Sequence, residues 1–234
     1  MGIFHLISGI VICQLITYSS KFTLSLNKKY FKSFPSNFLF QIYLGVCSLI
    51  LIFIFSHELN FKISLQSIWE IIYQTFFLFF ISFLIINSII DKIEKKYPTK
   101  EKKEPQGFNP PNKSIFMFMV MFINPLTEEL LYRGFFLNHI SSLNHLVIET
   151  SFLTLSVPMI LSGLYFGLDH LTLLKKGMNK YFVSRIVIGG IIVGIACSYH
   201  QIHHGSFSAA IIAHFMANFT GGFSSFLSNK LKMK

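Results

Sequence analysis

Seven long apolar stretches separated by short polar segments constrain this chain more than any other feature. They cover residues 3–18, 38–56, 68–90, 114–137, 146–170, 181–199 and 206–227. An α-helix rises about 1.5 Å per residue, so about 20 residues cross the hydrocarbon core of a bilayer. A helix also satisfies its own backbone hydrogen bonds, which lipid cannot do. The sequence therefore predicts an all-α fold, a polytopic transmembrane helix bundle of about seven spans. An eighth, re-entrant or broken span is the alternative.

The charge content supports a membrane protein. Hydrophobic residues make up 52% of the chain and charged residues only 13%, about half of what a soluble domain carries. The net charge of +10 could indicate a nucleic-acid binder, but the lysines lie between the apolar stretches and form no stripe on an amphipathic face. We therefore expect the lipid bilayer as a partner, and no nucleic acid. The three cysteines lie inside apolar stretches without a CxxC pair, which is typical of small buried side chains.

The distribution of lysine and arginine predicts an orientation. Eighteen of the 20 fall in alternate loops and the C-terminal tail, Lys62 falls on the other side, and Arg133 lies within a span. The positive-inside rule then places the N-terminus outside and the C-terminus in the cytoplasm. The hydrophilic segment 91–113 is a cytoplasmic loop that divides the chain into 1–113, with three spans, and 114–234, with four. The composition, rich in Lys, Ile and Phe, suits an AT-rich genome and a bacterial cell membrane.

The fourth span carries three ionisable residues, although each costs at least about 2.5 kcal/mol at membrane depth. Glu129 and Arg133 are four residues apart, so they share a helix face and can form an ion pair. Glu128 is rotated by about 100° from that face and is left without this partner. A carboxylate in such a place suits a general base. The alternative is that Glu128 caps a helix or pairs with a lysine.

Two further pairs lie at helical spacing in later spans. Phe166 and His170 share a face near the end of the fifth span, where His170 is either a catalyst or an interfacial residue. Asp169 is either a solvated end residue or the group that orients His170. In the seventh span His214 and Asn218 share a face. They form either an interhelical hydrogen bond or a pair of donors to one oxyanion.

A histidine cluster lies between the sixth and seventh spans. The sequence predicts a short outward loop that contains His200, His203 and His204. His200 and His203 could bind a metal if they lay on one helical turn. We favour this less, because the loop lacks a carboxylate.

The order of these motifs resembles a known family. Glu128-Glu129-x-x-x-Arg133, Phe166-x-x-x-His170 and His214-x-x-x-Asn218 follow one another on successive spans. This pattern resembles the CPBP or ABI family, which contains type II CAAX prenyl endopeptidases and bacteriocin-processing or bacteriocin-immunity membrane proteases. The resemblance covers about residues 116–223, and the first three spans carry no diagnostic motif.

The resemblance implies hydrolysis of a peptide bond inside the membrane. It implies that Glu128 activates water, that His170 helps to hold it, and that His214 and Asn218 donate to the oxyanion. Glu129, Arg133 and Phe166 would support them. No Ser or Cys nucleophile beside a base is evident, which favours direct attack by water.

Metal dependence is open at this level. The family is commonly labelled a metalloprotease, and zinc could be held by Glu128, His170 and His214. The chain has no HExxH motif. We therefore expect a metal-free mechanism with no required cofactor, and keep zinc as the alternative.

Two other classes of function fit parts of the pattern. A non-catalytic bacteriocin-immunity or scaffold protein is compatible with the resemblance, but a scaffold has no need of all four polar residues at membrane depth. A transporter could use the intramembrane Glu and His as a proton relay, although no internal repeat supports it. The expected partner is a membrane-associated peptide or protein substrate.

Overall fold

The computed structural model describes residues 2–31, 34–35, 37–98, 112–149, 154–175 and 177–232. Helices dominate this part of the chain: α1 (Gly2–Ser19), α2 (Lys21–Tyr30), α3 (Phe38–Ile54), α4 (Leu65–Lys96), α5 (Lys113–Phe118), α6 (Asn124–Glu129), α7 (Val157–Asp169), α8 (Thr172–Lys175), α9 (Lys180–His204) and α10 (Phe207–Lys232). Two π-helical segments, Met119–Ile123 and Leu130–Leu137, flank α6. A 3₁₀ turn (Ser141–Leu143) and an antiparallel hairpin of β1 (Val147–Glu149) and β2 (Thr154–Ser156) precede α7.

The predicted helical membrane bundle is confirmed. Within the described ranges, five helical stretches are long and apolar enough to cross a membrane: Gly2–Asn27, Leu65–Lys96, Ser114–Leu137, Val157–Leu174 and Lys180–His204. They coincide with five of the seven predicted spans. The second predicted span, α3, has only 17 residues, and α10 is not among the five. Large apolar side chains such as Phe53 and Trp69 point outward, as lipid-facing residues do. The chain is an integral membrane protein.

The predicted boundaries of the third and fifth spans were wrong. The third span was expected to end at residue 90, but α4 continues to Lys96. The fifth was expected to begin at residue 146, but the helix begins only at Val157, after the hairpin. Ser156 caps this helix and Pro158 lies in its first turn, where proline loses no intrahelical hydrogen bond. The division of the chain at residue 113 stays a prediction, because residues 99–111 lie outside the described part.

The predicted loop with three histidines is helical. α9 extends to His204 and ends at Gly205, whose φ of 58° is left-handed. Glycine adopts this conformation without the steric cost of a Cβ. The helix therefore runs five residues beyond the predicted end at residue 199.

Two glycine pairs bring α7 and α9 into close contact. Gly190 and Gly194 have the GxxxG spacing that permits close helix approach, and they meet Gly163 and Gly167 of α7. A Cβ on Gly194 would lie 2.6 Å from the Cα of Gly163, and one on Gly190 would lie 3.1 Å from the Cα of Gly167. The backbones are therefore too close for any side chain at these positions.

The bundle has a basic end and a histidine-rich end. At the basic end, Arg185 of α9 forms ion pairs with Asp91 and Glu94 of α4, at 2.7 and 3.0 Å. At the other end, Asn60 donates to the carbonyl of Gly205 at 2.6 Å. The first contact joins α4 to α9, and the second joins the loop before α4 to the end of α9.

The histidine-rich end also contains His5, His57 and His139, whose rings pack edge to face. Burial lowers the pKa of the His57 imidazole. Burial, together with the charges of His5 and His57, lowers the pKa of His139. Both rings are therefore neutral at pH 7 and pack as aromatic groups.

The glycine contact predicts a selective loss of stability. Gly163→Ala puts a Cβ 2.6 Å from the backbone nitrogen of Ile195, so we expect it to lower the free energy of unfolding by about 1–3 kcal/mol. Gly222→Ala is the matched control, because its added Cβ meets no described atom within 4 Å apart from its neighbours and the backbone of its own helix. Unfolding midpoints of both variants in detergent test this. Equal midpoints would contradict the close packing.

Candidate functional site

The fourth span is a helix interrupted by π-helical turns. Pro125 lies in the first turn of α6, and its missing N–H leaves the preceding turn short of one hydrogen bond. The wider π-helical turns on each side accommodate this change, and such turns often occur at functional sites. One freed carbonyl, that of Val120, accepts a hydrogen bond from Asn218 of α10 at 2.7 Å.

The predicted ion pair between Glu129 and Arg133 is present and completely buried. Nη1 of Arg133 lies 3.1 Å from Oε1 of Glu129, and both side chains have 0% exposure. Nη2 of Arg133 donates to the carbonyl of Gly194 at 2.8 Å. The guanidinium carbon lies 4.9 Å from the centre of the Phe166 ring, which adds a cation–π contact. The Arg133 guanidinium thus has protein partners in place of water, and it is itself a partner of the Glu129 carboxylate, as buried charges require.

The Glu129 carboxylate also holds His214. Nδ1 of His214 lies 2.6 Å from the same oxygen, Oε1, that accepts from Arg133. An ionised carboxylate can only accept, so His214 donates through Nδ1–H. This fixes the orientation of the ring and turns Nε2 toward Glu128, whose Oε2 lies 3.7 Å away. The sequence predicted the pair with Arg133 but not this second role of Glu129.

Glu128 differs sharply from its neighbour. Its side chain is 20% exposed, whereas that of Glu129 is fully buried. Among the described residues, its ion-pair partner is His214 and not a lysine. The side chains of His214, His170, Glu129 and Arg133 all act electrostatically on its carboxylate. Glu128 is therefore an accessible carboxylate at the edge of a buried charged network.

His170 lies at the end of α7 beside Phe166. Its Nδ1 lies 2.9 Å from the carbonyl oxygen of Phe166, which can only accept, so Nδ1 carries the proton. In the neutral ring Nε2 then has a free lone pair. The Phe166 ring packs edge to face against both His170 and His214, with centroids 5.2 and 5.5 Å apart. The Phe166 ring therefore contacts both imidazoles and helps to set the distance between them.

Asp169 does not orient His170. Its Oδ2 accepts from the hydroxyl of Tyr132 at 3.1 Å, and its Oδ1 lies 3.5 Å from Nε2 of Gln14 on α1. Asp169 is thus neither a purely solvated end residue nor a partner of His170. It connects α7 to α1 and to the fourth span.

Asn218 lies one turn beyond His214 on α10. One of its two amide protons is donated to Val120, so the interhelical hydrogen bond considered from the sequence is present. The amide group carries two N–H donors, and the second is not used by this contact. The geometry accommodates both a structural and an oxyanion-binding role for Asn218.

Two participants had no recognisable signal in the sequence. Cys197 is fully buried beside Glu129 and His214, but a cysteine in an apolar stretch looks like any small core residue. Gly194 contributes its carbonyl to Arg133, and a backbone acceptor is invisible in a sequence motif. Both come from α9, which reaches the site only because its glycines allow close packing on α7.

The described residues contain two groups whose ligand atoms could hold a metal ion. One is Glu129, Cys197 and His214, and the other is Glu70, His203 and His204. The ligand set that the zinc alternative would use, Glu128, His170 and His214, is not among these groups.

The buried ion pair predicts a large effect on stability. Arg133→Met leaves Glu129 buried beside His214 without its guanidinium, and we expect a loss of about 3–5 kcal/mol. Arg185→Met removes the partly exposed ion pairs of an arginine with Asp91 and Glu94 and should cost about 1 kcal/mol or less for each pair. Unfolding midpoints in detergent compare the two variants. A similar loss of stability in both variants would show that the buried ion pair of Arg133 contributes no more than the ion pairs of Arg185.

The chain was compared with known families. Residues 110–220 match the family model described as type II CAAX prenyl endopeptidase Rce1-like. This range contains all seven site residues predicted from the sequence. Comparisons with curated proteins and with solved structures gave no match. The family implies intramembrane protease activity in general. Residues 110–220 are thus similar to the Rce1-like type II CAAX prenyl endopeptidase family, which confirms the resemblance seen in the motifs.

Proposed function

We propose that the protein is an intramembrane endopeptidase that hydrolyses a peptide bond of a membrane-associated protein or peptide. The observation that carries this proposal is the contrast between Glu128 and Glu129. Glu129 is fully buried and engaged by Arg133 and His214, whereas Glu128 is adjacent, partly accessible and faces Nε2 of His214. A purely structural ion-pair network has no use for a second carboxylate in this position.

Glu128 is the proposed general base. It takes a proton from a water molecule while the water oxygen attacks the carbonyl carbon of the substrate. The carbonyl oxygen becomes an oxyanion in a tetrahedral intermediate. The carboxyl of Glu128 then gives its proton to the amide nitrogen, the C–N bond breaks, and a carboxylic acid and an amine leave, with Glu128 again ionised. Nε2 of His170, whose lone pair is free because Nδ1 donates to Phe166, accepts a hydrogen bond from the attacking water.

His214 and Asn218 are the proposed donors to the oxyanion. Nδ1–H of His214 is already donated to Glu129, so Nε2 can donate only when the ring carries both protons. Glu129 faces the Nδ1 proton of His214, and Glu128 faces the proton that Nε2 would carry. Arg133 and Glu129 act as positioning residues, since they hold the imidazole. Asn218 contributes the amide proton that Val120 does not use.

We propose that this mechanism needs no metal. In the buried group of Glu129, Cys197 and His214, Oε1 of Glu129 already accepts from both Arg133 and His214. A divalent cation there would displace these donors and lie beside a guanidinium, which repels it. Zinc would supply Lewis-acid activation of water, but this donor set fits it poorly.

The proposed orientation follows the positive-inside rule, with the C-terminus in the cytoplasm of a bacterial cell. The basic end of the bundle, where Arg185 meets Asp91 and Glu94, then faces the cytoplasm. In a bacterium we propose that the substrate is a membrane peptide, such as a bacteriocin leader, rather than a prenylated protein.

The proposal predicts that cleavage depends on Glu128 and His170. Because general base catalysis contributes about 10²–10⁴-fold, Glu128→Gln should lower the cleavage rate by at least about a hundredfold, and His170→Ala should also lower it strongly. Glu58→Gln is the matched control, since Glu58 is exposed and lies far along the chain from the site motifs. The measurement compares new peptide termini in host membranes with each variant at matched expression.

The same experiment tests the non-catalytic alternative. Identical termini with wild-type chain and with Glu128→Gln, while both are folded and in the membrane, would overturn the proposed protease. Protection against a bacteriocin that survives Glu128→Gln would then support an immunity or scaffold role.

Chelation tests the metal-free mechanism. We expect purified protein treated with EDTA and then freed of the chelator to keep its cleavage rate within about twofold, because a carboxylate and an imidazole activate the water without metal. Activity that is lost with EDTA and restored by Zn²⁺ would refute this part of the proposal. The unfolding midpoint of the EDTA-treated protein, compared with that of the untreated protein, shows whether a loss of activity is due to unfolding.

A further inference from the structure

A second cluster of ligand-type side chains lies at the histidine-rich end of the bundle, apart from the catalytic motifs. Glu70 comes from the first turns of α4, and His203 and His204 come from the last turn of α9. One carboxylate oxygen of Glu70 and one nitrogen of each imidazole lie within 4.8 Å of one another. The sequence lacked a carboxylate near these histidines, and the fold supplies one from a helix more than a hundred residues away.

The separation of these atoms is close to that of a metal site. Bonds of about 2.0–2.1 Å in a tetrahedral zinc site put ligand atoms about 3.3 Å apart. The three side chains therefore have to move together by about 1.5 Å at most. Glu70 and His204 are half-buried and His203 is exposed, so rotamer changes can provide this movement without shifting the helices.

An unsatisfied atom gives independent support for a ligand. Nε2 of His204 is buried and has no hydrogen-bond partner among the described residues. A buried polar atom without a partner costs about 1–3 kcal/mol. A metal ion bound by Nε2 would remove this cost.

Neighbouring side chains hold two of the three ligands in place. Gln74 donates to Oε1 of Glu70 at 3.0 Å, in the manner of the outer residues that orient metal ligands. The ring of His200 stacks on that of His204, with centroids 5.7 Å apart and planes 9° apart. The sequence suggested His200 and His203 as a pair of ligands. In the structure His200 is not one of the three ligands, and its ring instead packs against that of His204.

We propose that Glu70, His203 and His204 bind one divalent transition-metal ion of the Zn²⁺ class, with a fourth position open to water or an exogenous ligand. Imidazole nitrogens with one carboxylate oxygen suit such ions rather than Mg²⁺ or Ca²⁺, which prefer oxygen ligands alone. The ion joins the start of α4 to the end of α9. It thereby reinforces the contact of these helices beside the turn between α9 and α10, and it is separate from the proposed water-activating residues.

Binding of Co²⁺ tests this site, since tetrahedral Co²⁺ absorbs visible light and replaces Zn²⁺ in such sites. The full-length protein is purified in detergent with a tag that contains no histidine, stripped of metal, and titrated with Co²⁺ and separately with Zn²⁺. We expect one equivalent to bind and the unfolding midpoint to rise with metal concentration, as for any ligand of the folded state. His203→Ala and His204→Ala should each weaken binding at least tenfold. Glu70→Gln, which keeps a side-chain partner for Gln74, should weaken it in the same direction.

Three controls separate this site from the others. His145→Ala removes an exposed histidine of the turn before β1 and should leave Co²⁺ binding unchanged, as should Glu128→Gln in the proposed catalytic site. Cys197→Ser should also leave Co²⁺ binding unchanged. If the wild type instead showed a thiolate-to-Co²⁺ absorption band, and Cys197→Ser abolished that band, the ion would lie at the buried group of Glu129, Cys197 and His214. Such a band, an absence of stoichiometric binding, or equal binding by wild type and His204→Ala would each overturn the proposed site.

Discussion

The arrangement of the site depends on a single buried carboxylate. Oε1 of Glu129 accepts from the guanidinium of Arg133 and from the imidazole of His214, so three helical segments meet at one atom. Neither charge could stay in the apolar core alone, because an unpaired buried ion costs several kcal/mol. The network therefore fixes the position of α10 relative to the fourth span and turns the second ring nitrogen of His214 toward Glu128.

Close packing of α7 and α9 completes this network. The carbonyl that binds Arg133 belongs to Gly194, the same residue whose missing side chain lets α9 lie against Gly163. A side chain there would separate the helices and withdraw the acceptor. Packing and electrostatics thus depend on one another: small residues bring the backbone within reach, and the buried arginine uses the backbone group that they expose.

Much of this arrangement was predictable, because helical periodicity is a local property. Spacing of four residues placed Glu129 with Arg133, Phe166 with His170 and His214 with Asn218, and all three pairs share a helix face in the structure. The errors arose where apolar content did not determine conformation. Residues 147–149 and 154–156 lie in a stretch apolar enough to extend a span, yet they pair as antiparallel strands, and the start of the helix depends on Ser156 and Pro158.

The sequence by itself determined the class of protein, because the length and apolarity of its stretches are compatible only with helices in a bilayer. It also determined which residues share a helix face, since this follows from 3.6 residues per turn. Only the tertiary structure decided which faces meet. That Glu129 serves His214 as well as Arg133, that Cys197 lies beside them, and that Glu70 approaches His203 and His204 are contacts between helices distant in sequence. They depend on how whole helices pack, which no local pattern encodes.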